Sequence, residues 1–151
     1  MARHHGRELA LKALFEYDLT KFDALALVSR VIKAESGDDR RFVEGLVNGV
    51  LAQESDIDRT IEENAIQWRV NRMPTVDRNI LRLATFELMS SNDVPISVII
   101  DEALELAQVY STEQSKKFIN GVLGQVAAKF RPEGDRDRLD SAEYHDVSPS
   151  E

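Results

Sequence analysis

Large apolar residues recur every three to four positions along most of the chain, and that spacing predicts six or seven helices. The first covers about 6–19, with Leu9/Ala10, Ala13/Leu14 and Tyr17 on one stripe and Leu11 and Phe15 on a second beside Arg7. A short helix over 24–33 carries Val28, Val31 and Ile32, and Gly37-Asp38-Asp39 punctuates the chain after it. The third, about 39–53, repeats Phe42, Leu46 and Val50 at intervals of four. Ser55 with Asp58 resembles a capping box, followed by the stripe Ile57, Ile61, Ala65 and Trp68. Pro74 interrupts the pattern. Thr75 then suits an N-cap, and Asp77 suits the positive end of a helix over 76–90. That fifth helix is apolar on two sides (Ile80, Leu81, Leu83, Ala84, Phe86, Leu88), which predicts a central place in the fold. Pro95 opens a sixth helix running to about Tyr110, and Thr112 caps a last one carrying Phe118/Ile119, Val122/Leu123, Val126 and Phe130. The β-branched run 94–100 contains Pro95 and continues into helical spacing, so no strand is expected. The expected class is all-α.

A chain of 151 residues suits one domain, here 1–132. Residues 133–151 are polar and charged and are expected to be a disordered acidic tail. No cysteine is present, which removes disulfides and thiolate metal sites. The N-terminus lacks an apolar signal core, and no apolar stretch approaches the ~20 residues of a membrane span. A soluble, cytoplasmic protein is the expectation.

A net charge of −8 argues on average against nucleic acid, but the distribution is uneven. Beyond Phe130, seven acids against three arginines account for −4 of it. The body is basic near its two ends and around Pro74, where Arg69, Arg72, Arg78 and Arg82 cluster. Arg3, His4, His5, Arg7 and Lys12 lie at one end, and Lys116, Lys117 and Lys129 on the last helix. Segments 54–63 and 93–105 are acidic. Phe15, Tyr110 and Phe118 accompany the cations, a combination suited to single-stranded RNA, whose bases stack on rings while phosphates meet charge. Blander readings stand beside this one. Phe118 also lies on a core stripe, Lys116 and Lys117 also suit a solvated face, and residues 3–7 also suit a frayed terminus.

Catalytic chemistry finds no foothold. His4 and His5 sit at one terminus and His145 in the tail, none promising a rigidly held imidazole. Adjacent His4 and His5 point about 100° apart on a helix, which disfavours joint chelation, so no metal is expected. Gly45, Gly49, Gly121 and Gly124 fall within helical patterns and read as places of close helix approach rather than a phosphate loop. Asp101 and Glu105, with Glu102 beside them, form an acidic helix face suited to a basic partner.

The stretch VDRNILRLATFEL (76–88), then DVP (93–95), VIIDEALELA (98–107) and SKKFINGVLG (115–124), resembles the bacterial NusB family. RELALKALF (7–15) and FVEGLVNGV (42–50) fit as well, so the likeness spans about 3–132. The resemblance implies two packed helical subbundles and a non-catalytic, cofactor-free transcription antitermination factor. It implies binding to the boxA element of nascent ribosomal RNA with the basic protein NusE, in an RNA polymerase antitermination complex. It implies an RNA surface at Arg3, His4, His5, Arg7, Phe15, Tyr110, Gln114, Lys117 and Phe118. Asp77, Asp101 and Glu105 fall toward the NusE side. The family's denser N-terminal arginine run is interrupted here by His4, His5 and Gly6. Two alternatives stand: a substrate-delivery domain like that of ribosomal RNA cytosine methyltransferases, and a self-associating interaction module that forms a homodimer.

Overall fold

A computed structural model describes residues 3–32, 37–90 and 93–135. Those residues form seven α-helices and one 3-10 turn, and no strand. The helices are α1 (Arg3–Thr20), α2 (Ala24–Ile32), α3 (Gly37–Ala52), α4 (Glu54–Asn64), α5 (Thr75–Ser90), α6 (Ile96–Tyr110) and α7 (Glu113–Phe130), with the 3-10 turn at Val70–Arg72. None is long and apolar enough to cross a membrane. The expected all-α class is what forms. α1, α2 and α3 pack on one another, α4, α6 and α7 gather on the other side, and α5 touches α1, α3, α4, α6 and α7. The two subbundles therefore share α5 as a common wall.

α5 is central because its apolar residues occupy both sides of the cylinder. Ile80, Leu81, Leu83, Ala84 and Leu88 are all buried. Four of its polar residues, Asp77, Asn79, Arg82 and Glu87, are buried too, and they latch α5 to α1, to α4 and to the corner between α6 and α7. Asn79 donates to the Asp18 carboxylate of α1 at 2.9 Å, and Arg82 forms a two-pronged pair with Asp58 of α4 at 2.8 and 2.9 Å. Glu87 receives Arg7 of α1, and Asp77 receives the hydroxyls of Ser111 and Ser115, both at 2.5 Å. Burying these groups without partners would cost several kcal/mol each, so their pairing fixes how the elements register on α5.

Gly49 allows α3 to approach α5: a Cβ there would lie 2.1 Å from the tip of the Phe86 ring. Gly45, Gly121 and Gly124 face open space, so close helix approach is their role at Gly49 alone.

Local signals act in mixed fashion. Thr112 caps α7 as expected, its side chain accepting the Ser115 N–H at 3.0 Å. Ser55 does not cap α4, whose helix starts at Glu54 after Gln53. Asp58 is drawn to Arg82 instead of closing a capping box. Trp68 does not continue α4. The helix stops at Asn64, Gln67 takes a positive φ of 70°, and the Val70 N–H is satisfied by the Glu62 carboxylate at 2.8 Å. Beyond Phe130 the chain turns so that Asp135 accepts the Ile96 N–H at the start of α6. The described residues thus reach 135, within the segment expected as tail from 133; residues 136–151 lie outside the described set.

Candidate functional site

Two of the aromatic residues singled out from sequence, Phe15 and Tyr110, come together where α1, the start of α5 and the end of α6 meet. Leu11, Lys12, Phe15, Val76 and Tyr110 line an open groove of about 310 Å³. Its floor is apolar because Leu11 belongs to the core, while Phe15 and Tyr110 stay a little over one-third exposed. The helical spacing of Leu11 and Phe15 puts both on the same face of α1. Tyr110 closes the far side, its hydroxyl donating to the Glu8 carboxylate. That bond, with burial and the Glu8 charge adding to it, pushes the phenol up to about 12, so it stays protonated at neutral pH.

α7 begins three residues after Tyr110. Asp77, held by Ser111 and Ser115, ties the start of α5, and so Val76, to this corner. Gln114 and Lys117 stand exposed on the first turns of α7, and Lys116 reaches back to Gln108 at 2.7 Å. One turn further, Phe118 is half-buried against the core and meets Trp68 edge-on, with ring centroids 6.1 Å apart. Trp68 is 49% exposed and its neighbour Ile66 82%, beside the exposed Arg69 and Arg72. Sequence reading missed Trp68 as a surface ring. Its helical spacing after Ala65 imitates a core stripe, and only the early end of α4 turns it outward.

The basic arm is largely spent inside the protein. Arg7, expected to face RNA, is buried at 4% exposure and pairs with Glu87 at 2.9 and 2.8 Å. It cannot meet a phosphate without stranding a buried carboxylate, so it is a structural residue. Arg3 lies exposed over the Phe42 ring, 4.1 Å from its centroid. His4 turns to Glu102 at 2.6 Å, and His5 stands exposed within 3.9 Å of Glu8. Around Pro74, Arg78 and Arg82 converge on Asp18 at 2.7 and 3.0 Å, which takes both out of any free basic patch. Burial pushes the Asp18 carboxyl up, but hydrogen bonds from Arg78 and Asn79 and the two guanidinium charges outweigh it, and the group sits well below the usual carboxylate range.

On the acidic side, Asp77 was expected at the partner surface. It is buried at 3% exposure and holds the α6–α7 corner, so it is no docking residue. Asp101 and Glu105 are exposed on α6.

A two-lobed helical domain with an open, ring-lined groove and Lys12 at its rim has the layout of a binding module. The comparisons with known proteins make the class specific. Residues 4–128 match the model of the NusB family, and the chain belongs to that family. The transcription antitermination protein NusB of Desulforudis audaxviator is 39% identical over 138 residues, covering 88% of this chain and all of that protein. That of Listeria monocytogenes serotype 4a is 40% identical over 127 residues, covering 84% and 97%. Among solved structures, T. maritima NusB superposes with a TM-score of 0.85 at 34% identity, over 91% of this chain and 98% of that one. A chain from the crystal structure of antitermination factors NusB and NusE in complex with dsRNA gives 0.78 at 25% identity, over 86% and 100%.

Proposed function

We propose that this chain is a non-catalytic, cytoplasmic transcription antitermination factor. It binds single-stranded boxA-type RNA of ribosomal RNA transcripts together with NusE, within an RNA polymerase complex. The observation that carries this reading is the groove between Phe15 and Tyr110. It offers two partly exposed rings over an apolar floor, with Lys12 at its edge and Gln114 and Lys117 on the adjoining helix. Unpaired bases have π-faces for such rings, whereas a paired duplex hides them. The Trp68–Phe118 pair, near Arg69 and Arg72, extends the same kind of surface along α7. Arg3 and His5 remain at the surface of the N-terminal turn. With Arg7 internal and the family's arginine run interrupted, the chain alone presents few phosphate contacts, and NusE completes the surface. The exposed carboxylates Asp101 and Glu105 on α6 suit that basic partner.

Fluorescence anisotropy with boxA RNA, a scrambled strand and a duplex, each with and without NusE, tests the reading. The expected order is boxA above scrambled, both above duplex, and all tighter with NusE. Phe15→Ala should weaken boxA binding by roughly 5- to 100-fold, the range of one lost base–ring stack, with the helical circular dichroism unchanged. Equal affinity for all three RNAs in the presence of NusE defeats the proposal.

A further inference from the structure

The first turn of α1 meets the middle of α6 at a cluster that lies outside the lining of the aromatic groove. His4 Nδ1 lies 2.6 Å from a Glu102 carboxylate oxygen and 3.6 Å from one of Glu105. One ligand atom from each of the three residues falls within 4.8 Å of the others. Glu102 and Glu105 are three positions apart on α6, which sets both carboxylates on one face. Position 4 is brought to them by the packing of α1 on α6.

The arrangement is more than a histidine ion pair. With its proton on Nδ1 the imidazole donates to Glu102; with the proton on Nε2 it instead turns a lone pair toward two convergent carboxylates. In that second tautomer a divalent cation between the three would take one lone pair from each. It would also replace a net −2 (neutral imidazole and two carboxylates) by zero.

The geometry points to a zinc-class metal site formed by His4, Glu102 and Glu105. Bonds of ~2.0–2.1 Å in a tetrahedral shell place neighbouring donor atoms about 3.3 Å apart. The two separations at Nδ1 straddle that value and the carboxylate oxygens lie within 4.8 Å of each other, so small side-chain rotations bring the three donors to a metal shell. One imidazole with two carboxylates is a nitrogen–oxygen set that suits zinc and its neighbours; magnesium and calcium favour all-oxygen shells. Three protein ligands leave a fourth position open to solvent. Side-chain exposures of 36% for His4, 21% for Glu102 and 65% for Glu105 give an ion direct access. Bound there, the ion would fasten the start of α1 to α6, a link between segments 98 residues apart in sequence. The inference does not rest on the RNA reading, although Glu105 also belongs to the surface proposed for NusE.

Titration of the full chain with zinc chloride at neutral pH, followed by calorimetry and by thermal melts, tests it. One zinc per chain should bind, and the melting temperature should rise with zinc concentration. Glu105→Gln removes a ligand while leaving the His4–Glu102 contact. It should weaken zinc binding by at least about 10- to 100-fold, judged from what even outer groups contribute to metal affinity, and abolish the thermal shift without altering the zinc-free melt. His5→Ala and His145→Ala should bind zinc as the parent does. Absence of stoichiometric binding, binding unaffected by Glu105→Gln, or binding lost in His5→Ala or His145→Ala would overturn the site.

Discussion

Arg7 shows how one residue's role is decided by its surroundings. By composition it is a cation near an aromatic on a terminal helix, the description of a nucleic-acid contact. In the fold it is enclosed, with both prongs on Glu87 and its guanidinium 5.5 Å from the Phe42 ring centroid. Removing one member of a buried pair leaves the other charge without compensation, at about 3–5 kcal/mol, whereas replacing both by apolar residues of similar volume is often neutral. Arg7→Ala should therefore lower the unfolding free energy by about 3–5 kcal/mol, and the double variant Arg7→Met, Glu87→Leu should recover most of it. Urea melts of the three proteins check this. A loss confined to RNA affinity, with stability intact, would return Arg7 to the binding surface. Tyr110 makes the converse case. Its place beside the lysines of the last helix marked it as a ring for a ligand, and it stands partly exposed, oriented by Glu8.

At the scale of elements, periodicity located all seven helices, usually within a few residues of their ends. The errors fell where a side chain had a better tertiary partner than its local one. Asp58 left the α4 cap for Arg82, whereas Asp77 keeps its expected place in the first turn of α5 and there also holds two serines. The glycines separate in the same way, since sequence alone treats Gly49 and Gly121 as equivalent small residues within helices. At Gly121, with open space around it, alanine should stabilise the chain by about 0.5–1 kcal/mol through helix propensity. At Gly49 the same gain meets the Phe86 ring, and overpacking costs typically 1–3 kcal/mol. Gly49→Val should therefore be destabilising, and pairing it with Phe86→Ala should relieve part of the loss. Thermal melts should place Gly121→Ala above the parent and Gly49→Val below it, and Gly49→Val should cost less in a Phe86→Ala background than in the parent. A Gly49→Val protein as stable as the parent would mean the α3–α5 contact yields freely.

For the molecule as a whole, the polar residues of α5 act as latches on the two subbundles, and the Asp18 network is the most charged of them. Asp18 of α1 holds Arg78, Asn79 and Arg82 of α5, and Arg82 in turn holds Asp58 and Glu54 of α4. A carboxylate whose folded pKa is depressed stabilises the fold fully above its unfolded value, about 3.9 for aspartate. It loses that contribution as pH falls through the folded value. Urea midpoints should thus hold steady down to about pH 5 and fall below about pH 4. Asp18→Asn should be less stable at neutral pH and show a shallower acid limb. An unchanged acid limb would mean the network is not what acid breaks.

The amino-acid sequence by itself determined the class of fold. Helical spacing, turn residues and the doubly apolar α5 leave a packed set of helices as the arrangement that buries those faces, and the motif-bearing stretch 76–124 carried the family likeness. Which charges are spent inside and which remain for a ligand was decided only by tertiary structure. Pairing depends on distance across the packed elements: Arg7 meets Glu87 across 80 residues, and His4 meets Glu102 across 98. Local pattern is silent on such separations, because an arginine reads the same along the chain whether a carboxylate or water awaits it.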